Sequence, residues 1–449
     1  MSPPPPDAAV AAGHWETSPA GQPEARRPGQ ALRAGRLWLK ALLRALGPGY
    51  LVAVGYMDPG NWATSLAGGS AYGYSLLWVV ALSGGMAMFL QILAAKLGVV
   101  AGLDLAQASR AHSSPRTIIW QWLACEVAIC ACDLAEVIGT AIALKLLFGM
   151  PLSIGVCLTV FDVLLILWLQ NRGFRYLEAL VVALLAVVAV CFGFNLLLSS
   201  PVLSEVALGF LPSSRTISDP GMLYIAIGII GATVMPHNLY LHSSIVQTRT
   251  RGAGASEGDK RKALTFAKID ITLALTIALV VNAAILITAG ATFHAQGLHD
   301  VADLQDAWQL LGPLTGTTIA GVLFALALLA SGQSSTLTAT LAGQIVMEGY
   351  VKLRLPAWGR RLLTRSIAVV PALCVALTSG DAGITRLLLL SQVLLSLQLP
   401  FAVVPLIRFT SSRKIMGSFA NSRWVVVAAY LIAALIIGLD IELIRKALF

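Results

Sequence analysis

The sequence predicts an all-α membrane protein of eleven transmembrane helices, arranged as two inverted halves with a broken helix in each. Three observations carry this expectation. The 449-residue chain is 57% hydrophobic and only 12% charged, and its mean hydropathy is +0.79. That composition belongs to a polytopic membrane protein and not to a soluble enzyme. Apolar segments long enough to cross a bilayer recur along the chain. Two of them are interrupted in mid-segment, at Asp58-Pro59-Gly60-Asn61 and near Pro236.

The elements follow in order. Residues 1–40 form a tail, expected to be disordered and cytoplasmic, because its proline, alanine and glycine runs and scattered arginines cannot build a core. No apolar stretch of signal-peptide type follows its basic residues. Span 1 runs over 46–67 with a break at 58–61; spans 2 to 5 cover 75–98, 117–147, 151–169 and 176–198. Span 6 covers 221–248 and breaks near Pro236, and span 7 covers 265–292. A short helix over 302–311 precedes span 8 at 316–347. Spans 9, 10 and 11 cover 362–379, 384–407 and 423–443. The two repeats are therefore 41–200 and 201–410, with an extra span in 411–449. Five spans per half is an odd number, so the second half inserts upside down and the breaks in spans 1 and 6 face each other near the midplane.

With the N-terminus inside, 26 of the 31 Lys and Arg residues fall in the tail and inner loops. This asymmetry places the N-terminus in the cytoplasm and the C-terminus outside. The formal net charge of +9 is thus a matter of topology, and no nucleic-acid surface is expected. The outer segment 297–306 carries Asp300, Asp303 and Asp306, a mildly anionic approach for cations. The six cysteines all lie in apolar segments and are expected to be buried and inert. Cys130 and Cys132 are two apart on a helix and point apart, so they make a weak metal motif.

The chemistry gathers at the two breaks. Pro59 has no N–H and Gly60 adds freedom, so the helix should stop there. Bare carbonyls at bilayer depth are tolerated only inside protein or beside water, and a midplane carboxylate such as Asp58 is functional by default. Asp58 offers a hard anionic oxygen, Asn61 an amide oxygen and Met235 a thioether. Backbone carbonyls, from Gly55 and Ala232, complete the expected set. Calcium and magnesium want oxygen alone; the sulfur favours manganese, ferrous iron, cobalt and cadmium. The plainer reading of an intramembrane Met is core filling. His237 could be a proton carrier or a satisfied core histidine; its spacing from His242 suits no zinc-enzyme motif. In span 3, Glu126, Asp133 and Glu136 share one helix face. They form a proton relay or a salt-bridge network with basic residues such as Arg365. Ser331 to Thr336 in span 8 suit close helix packing. Asn282 is expected to join helices, and Gln392 to approach the cargo.

These motifs carry a family resemblance. Asp58-Pro-Gly-Asn61, Ala232-Thr-Val-Met235-Pro-His237-Asn-Leu-Tyr-Leu-His242, Gly332-Gln-Ser-Ser-Thr336, Asp133-Leu-Ala-Glu136 and Ser391-Gln392 to Pro400 resemble the Nramp family of proton-coupled divalent metal transporters. The resemblance covers nearly everything after the tail. It implies a LeuT-type fold of five plus five spans with helices 1 and 6 broken. It implies that Asp58, Asn61 and Met235 bind metal, that the Gly55 and Ala232 carbonyls join them, and that Gln392 does so in some states. It ties His237, Glu126, Asp133, Glu136 and, on span 9, Arg365 to proton movement, with Asp58 coupling the two. The span-9 arginine resembles that of eukaryotic members; some bacterial relatives place theirs a turn earlier, where this chain has Arg361. Glycine at 55, where alanine also occurs in the family, is expected to matter little. With no glycosylation sequon and short outer loops, a bacterial inner-membrane member is expected, functional as a monomer in the lipid bilayer. No cofactor is expected, since metal and proton are both cargo. The rivals are a sodium-coupled amino-acid symporter of the same fold, a magnesium carrier and a metal-sensing receptor without turnover; no enzymatic nucleophile–base pair is present.

Overall fold

The computed structural model describes residues 47–161, 174–249, 256–353, 356–378 and 380–448. The expected tail, the second half of span 4 and the loop at 250–255 lie outside the described residues. Among the described residues every regular element is helical.

The first span is two helices. α1 (Pro48–Ala53) tightens into a 3-10 turn over Val54–Met57, and α2 (Pro59–Tyr72) restarts the chain. α3 (Leu77–Ala101) is the second span, α4 (Leu105–His112) a short helix, and α5 (Pro115–Phe148) the long third span. Ser114 caps α5 and Pro115 opens it, so the helix begins where both signals agree. α6 (Leu152–Leu158) is the described start of span 4, and α7 (Phe174–Leu198) is span 5. The second interrupted span is α8 (Pro220–Thr233) followed by α9 (Pro236–Ile245). α10 (Glu257–Thr292) starts eight residues before the expected span 7, because Ser256 caps it and acidic residues fill its first turn. The helix expected at 302–311 is α11 (Leu304–Thr315), and α12 (Thr318–Val351) is span 8. α13 (Ala357–Thr378), α14 (Gly380–Ser411) and α15 (Arg423–Leu448) complete the chain.

Eight helices among the described residues are long and apolar enough to cross a bilayer, and the joined stretch Pro220–Arg249 is one of them. Of the other expected spans, the first is the broken 48–72 segment; residues 152–161 and 362–378 form shorter apolar helices.

The packing falls into two groups. α2 and α3 lie against α10, and both halves of the second broken span touch α3. α5 lies against α12, α13 and α14, and α12 also packs on α7. The broken helices belong to the first group and also face the second, α8 against α14 and α9 against α12. Contact across that boundary is close at one point. A Cβ on Gly139 of α5 would fall 2.2 Å from Cγ of Pro59, so only glycine admits the proline ring that opens α2. Aromatic packing adds to this seam: Trp62 of α2 meets Phe192 of α7 and Phe324 of α12, with ring centroids 4.6 and 5.3 Å apart. Cys157 and Cys374, expected to be buried, are exposed on the outside of the helices. A lipid-facing surface takes a small apolar thiol as readily as a core does.

The Gly139–Pro59 contact sets an expectation. Gly139→Ala should lower the detergent-solubilised protein's unfolding free energy by about 1–3 kcal/mol through overpacking. Gly85→Ala, with nothing within 4 Å of the added carbon, should leave it unchanged or slightly raised. Thermal unfolding followed by size-exclusion chromatography measures both; equal behaviour of the two variants would remove the close approach as a constraint.

Candidate functional site

Each break is a helix N-terminus. Asp58 is extended (φ −63°, ψ 163°) and caps α2. Its carboxylate accepts N–H groups from Asn61 at 2.9 Å and Gly60 at 3.2 Å. Met235 (φ −76°, ψ 119°) occupies the same place before α9, with Pro236 as the first helical residue. Proline at the opening of both restarts explains the likeness of the breaks: it contributes no N–H where none is needed, and its φ suits the first turn.

The backbone freed at the first break finds partners, as bilayer depth demands. The Met57 carbonyl accepts from the Ser331 hydroxyl of α12 and from the Trp62 indole N–H at 3.0 Å. The Tyr56 carbonyl accepts from Asn282 of α10 at 2.8 Å. Asn282 thus joins helices, as expected.

Asn61 ties the two breaks together. Its Nδ2 donates to Asp58 Oδ1 at 2.7 Å and to the Ala232 carbonyl at 2.9 Å, while its Oδ1 accepts the Thr233 hydroxyl at 3.2 Å. Met235 is fully buried, and its sulfur takes an N–H from Asn238 at 3.6 Å. Gln392 of α14 lies over the start of α2, where a Cβ on Gly60 would meet its Nε2 at 1.8 Å. Its Nε2 donates to Ser391, and no partner is recorded for its Oε1. Asp58, Asn61, Ala232, Met235 and Gln392 are all at most 1% exposed. The cluster is closed to both sides. Chemically it offers one carboxylate, amide and carbonyl oxygens and a thioether. Among the described residues no three His, Cys, Asp or Glu side chains gather as a metal site, so any cation here meets a mixed donor set of low charge.

Gly55 departs from expectation. A Cβ there would lie 2.6 Å from Nδ2 of Asn238. The residue was expected to matter through its carbonyl alone, yet its missing side chain makes room for the amide that contacts Met235. Alanine would require Asn238 to move.

A polar line leaves the cluster along α5. Nε2 of His237 lies 3.7 Å from the Cys132 sulfur, and that thiol lies 3.4 Å from Glu136 Oε1. Glu136 Oε2 is 3.9 Å from Arg365 Nη1, which also donates to Asp133. Next comes a cavity of about 10 Å³, room for roughly one water, lined by Asp133, Thr340, Gln344, Arg360 and Thr364 among others. Beyond it, Arg360 Nη2 donates to both oxygens of Glu126 at 2.9 Å. So Asp133 and Glu136 share Arg365, whereas Glu126 pairs with Arg360, which sequence reasoning passed over. Cys132, expected to be inert, stands in the line; its signal was its place one helical turn before Glu136. His242 belongs elsewhere, in a chain through Gln91 to the Tyr56 hydroxyl. Asp303, expected as an approach for cations, instead caps α11 and takes the Thr385 hydroxyl. Asp440 of α15 was also missed: it is buried and accepts from Ser396 of α14 at 2.6 Å. An acid in an apolar span is the signal that singled out Asp58, and it was present here too.

Two facing helix breaks around a buried carboxylate, in an all-α membrane protein, define a secondary transporter of the broken-helix class. Comparison with known proteins narrows this. Residues 49–446 match the family described as Natural resistance-associated macrophage protein-like, Nramp. A divalent metal cation transporter MntH of Bradyrhizobium diazoefficiens is 58% identical over 93% of this chain and 92% of its own. Its namesake in Nostoc sp. is 54% identical over 95% and 96%. The Eremococcus coleocola manganese transporter, solved as single-residue variants, superposes with TM-score 0.84 at 43% identity, covering 91% of this chain and 87% of that one. The nucleobase-cation-symport-1 transporter Mhp1 shares the fold alone, with TM-score 0.55 at 15% identity over 88% and 89%. The chain belongs to the Nramp family. Its fold is the LeuT-type arrangement expected from the sequence, and it is a multi-pass membrane protein.

Removing one buried cation tests the polar line. Arg365→Ala leaves two buried carboxylates without it and should cost about 3–5 kcal/mol of stability. Arg360→Ala should cost less, because the Glu126 side chain is 20% exposed. Asp133→Asn introduced beside Arg365→Ala should recover part of the loss. Denaturation of these variants and of Asp133→Asn alone measures this, and full additivity would exclude the coupling.

Proposed function

We propose that this protein imports divalent transition metal ions, manganese and ferrous iron foremost and cobalt and cadmium besides, by proton-coupled alternating access. One observation carries the reading: at the meeting of two helix breaks, Asn61, itself capped by Asp58, bridges the Asp58 carboxylate and the carbonyl of Ala232, three residues before Met235. The amide N–H is a small positive group among acceptors, and it marks the spot that a metal ion takes. With its amide turned over, Asn61 offers oxygen beside Asp58, the Ala232 and Gly55 carbonyls and the Met235 sulfur. Gln392 joins in a further state of the cycle. A single carboxylate keeps affinity modest, which release requires. The thioether disfavours calcium and magnesium, and so a magnesium carrier.

Asp58 couples metal to proton, because each is drawn to the same charge. His237, Cys132, Glu136, Asp133 and Glu126 carry the proton away, with Arg365 and Arg360 as paired cations. The group containing α1, α2, α3, α8, α9 and α10 rocks against the rest. The repeats occupy 41–200 and 201–410, and 411–449 adds one span, for eleven crossings in all. The N-terminus lies in the cytoplasm and the C-terminus outside, in a bacterial inner membrane, and the monomer is the working unit in the bilayer.

The test is Mn²⁺ uptake into proteoliposomes with an acidic exterior, with and without excess Ca²⁺. Wild type should take up Mn²⁺ despite the Ca²⁺. Met235→Ala should retain uptake but lose most of that discrimination, and Asp58→Asn should abolish it. Absence of Mn²⁺ flux at every pH would overturn the reading in favour of a receptor or of an organic-solute symporter.

A further inference from the structure

A second group of metal-ligating atoms lies away from the central cluster, where α2 and α10 end. His294 stands in the 3-10 turn after α10, and His299 in the stretch that leads to α11. Their Nδ1 atoms are 3.1 Å apart, and their rings meet edge to face with centroids separated by 4.7 Å. The Ser70 carbonyl oxygen is 2.8 Å from Nδ1 of His294. Two ring nitrogens and a carbonyl oxygen thus converge.

Two nitrogens on one metal at about 2.0–2.1 Å stand roughly 2.8–3.4 Å from each other at right-angled to tetrahedral geometry. The observed separation already has that bite. The group is also fixed from behind. The Ser70 hydroxyl donates to the Leu298 carbonyl at 2.7 Å and accepts the Val301 N–H at 3.0 Å. These bonds fasten the segment carrying His299 to the end of α2 on both sides of that residue, so little ordering is left for a ligand to impose. An ion can reach the group. His294 lines an open cavity of about 510 Å³, and Glu205, with its carboxylate, lines it too.

We propose that His294, His299 and the Ser70 carbonyl form a second divalent metal site, separate from the transport site. Two imidazoles and a carbonyl suit borderline ions such as Zn²⁺, Co²⁺ and Ni²⁺, with water in the remaining positions, and do not suit Ca²⁺ or Mg²⁺. Both imidazoles bind neutral, with their protons on Nε2. A proton on either Nδ1 moves by way of solvent to Nε2 of the same ring when the ion enters, so each ring stays neutral and no proton is lost or gained.

The experiment uses tag-free full-length protein in detergent, with Asp58→Ala as background so that the central carboxylate is gone. Zn²⁺ is titrated by calorimetry, and Co²⁺ by its visible absorption. The background protein should bind one equivalent of Zn²⁺. His299→Ala and His294→Ala, each added to it, should weaken that binding by about tenfold or more. Their elution and melting should match the background, and His299→Gln serves if the alanine variant unfolds. Zn²⁺ binding that is absent from the background, or indifferent to both histidines, overturns the proposal. Mn²⁺ uptake by His299→Ala in the Asp58 wild-type protein is measured alongside. Uptake should persist, and its loss would overturn the separation of this site from the transport site.

Discussion

The structure depends on one capping interaction. The Asp58 carboxylate takes the first free N–H groups of α2, so the helix that stops at Met57 starts again two residues later. A cap of this kind is worth about 0.5–2 kcal/mol in water, and the positive end of the helix dipole favours the charge further. In the middle of an apolar span it does more than stabilise. It holds a carboxylate at bilayer depth without a lysine or arginine beside it, which leaves the charge available to a cation. The partner groups around it, Ser331 and Trp62 on the Met57 carbonyl and Asn282 on that of Tyr56, keep the unwound backbone satisfied so that the cap can persist.

The fold was largely legible because its signals are the strong ones of the bilayer. Spanning length, proline inside an apolar run and a midplane acid each have a single physical explanation, and both broken helices fall where those signals put them. Boundaries were less legible where a soluble helix signal takes over. Ser256 and the acidic turn behind it extend α10 beyond the apolar run, and nothing in hydropathy reports that.

The side chains at the breaks were found because each sits next to the break in sequence. Partners distant in sequence were harder. The choice between Arg360, Arg361 and Arg365 turns on the helical rotation of α13 against α5, and local pattern does not encode that angle; the pairing of Arg360 with Glu126 emerges only from packing. Cys132 was set aside because cysteine in an apolar helix is commonly filler. Its neighbours His237 and Glu136 come from another helix and from the next turn of its own. Gly55 was judged by its carbonyl, while its importance lies in the space above it, which Asn238 occupies.

The Asn61 bridge bears on the half of the cycle in which nothing is carried. A carrier whose oxygens faced one another bare after unloading would be held back by their mutual repulsion, and would turn around only with a new ion aboard. Here the amide hydrogens of Asn61 hold Asp58 and the Ala232 carbonyl at 2.7 and 2.9 Å. In the proposed cycle one side chain would serve as ligand on the outward-to-inward journey and as understudy for the ion on the way back. The unladen protein would then reset through its own amide, so that a gradient could be used for net accumulation and not merely for swapping one ion for another.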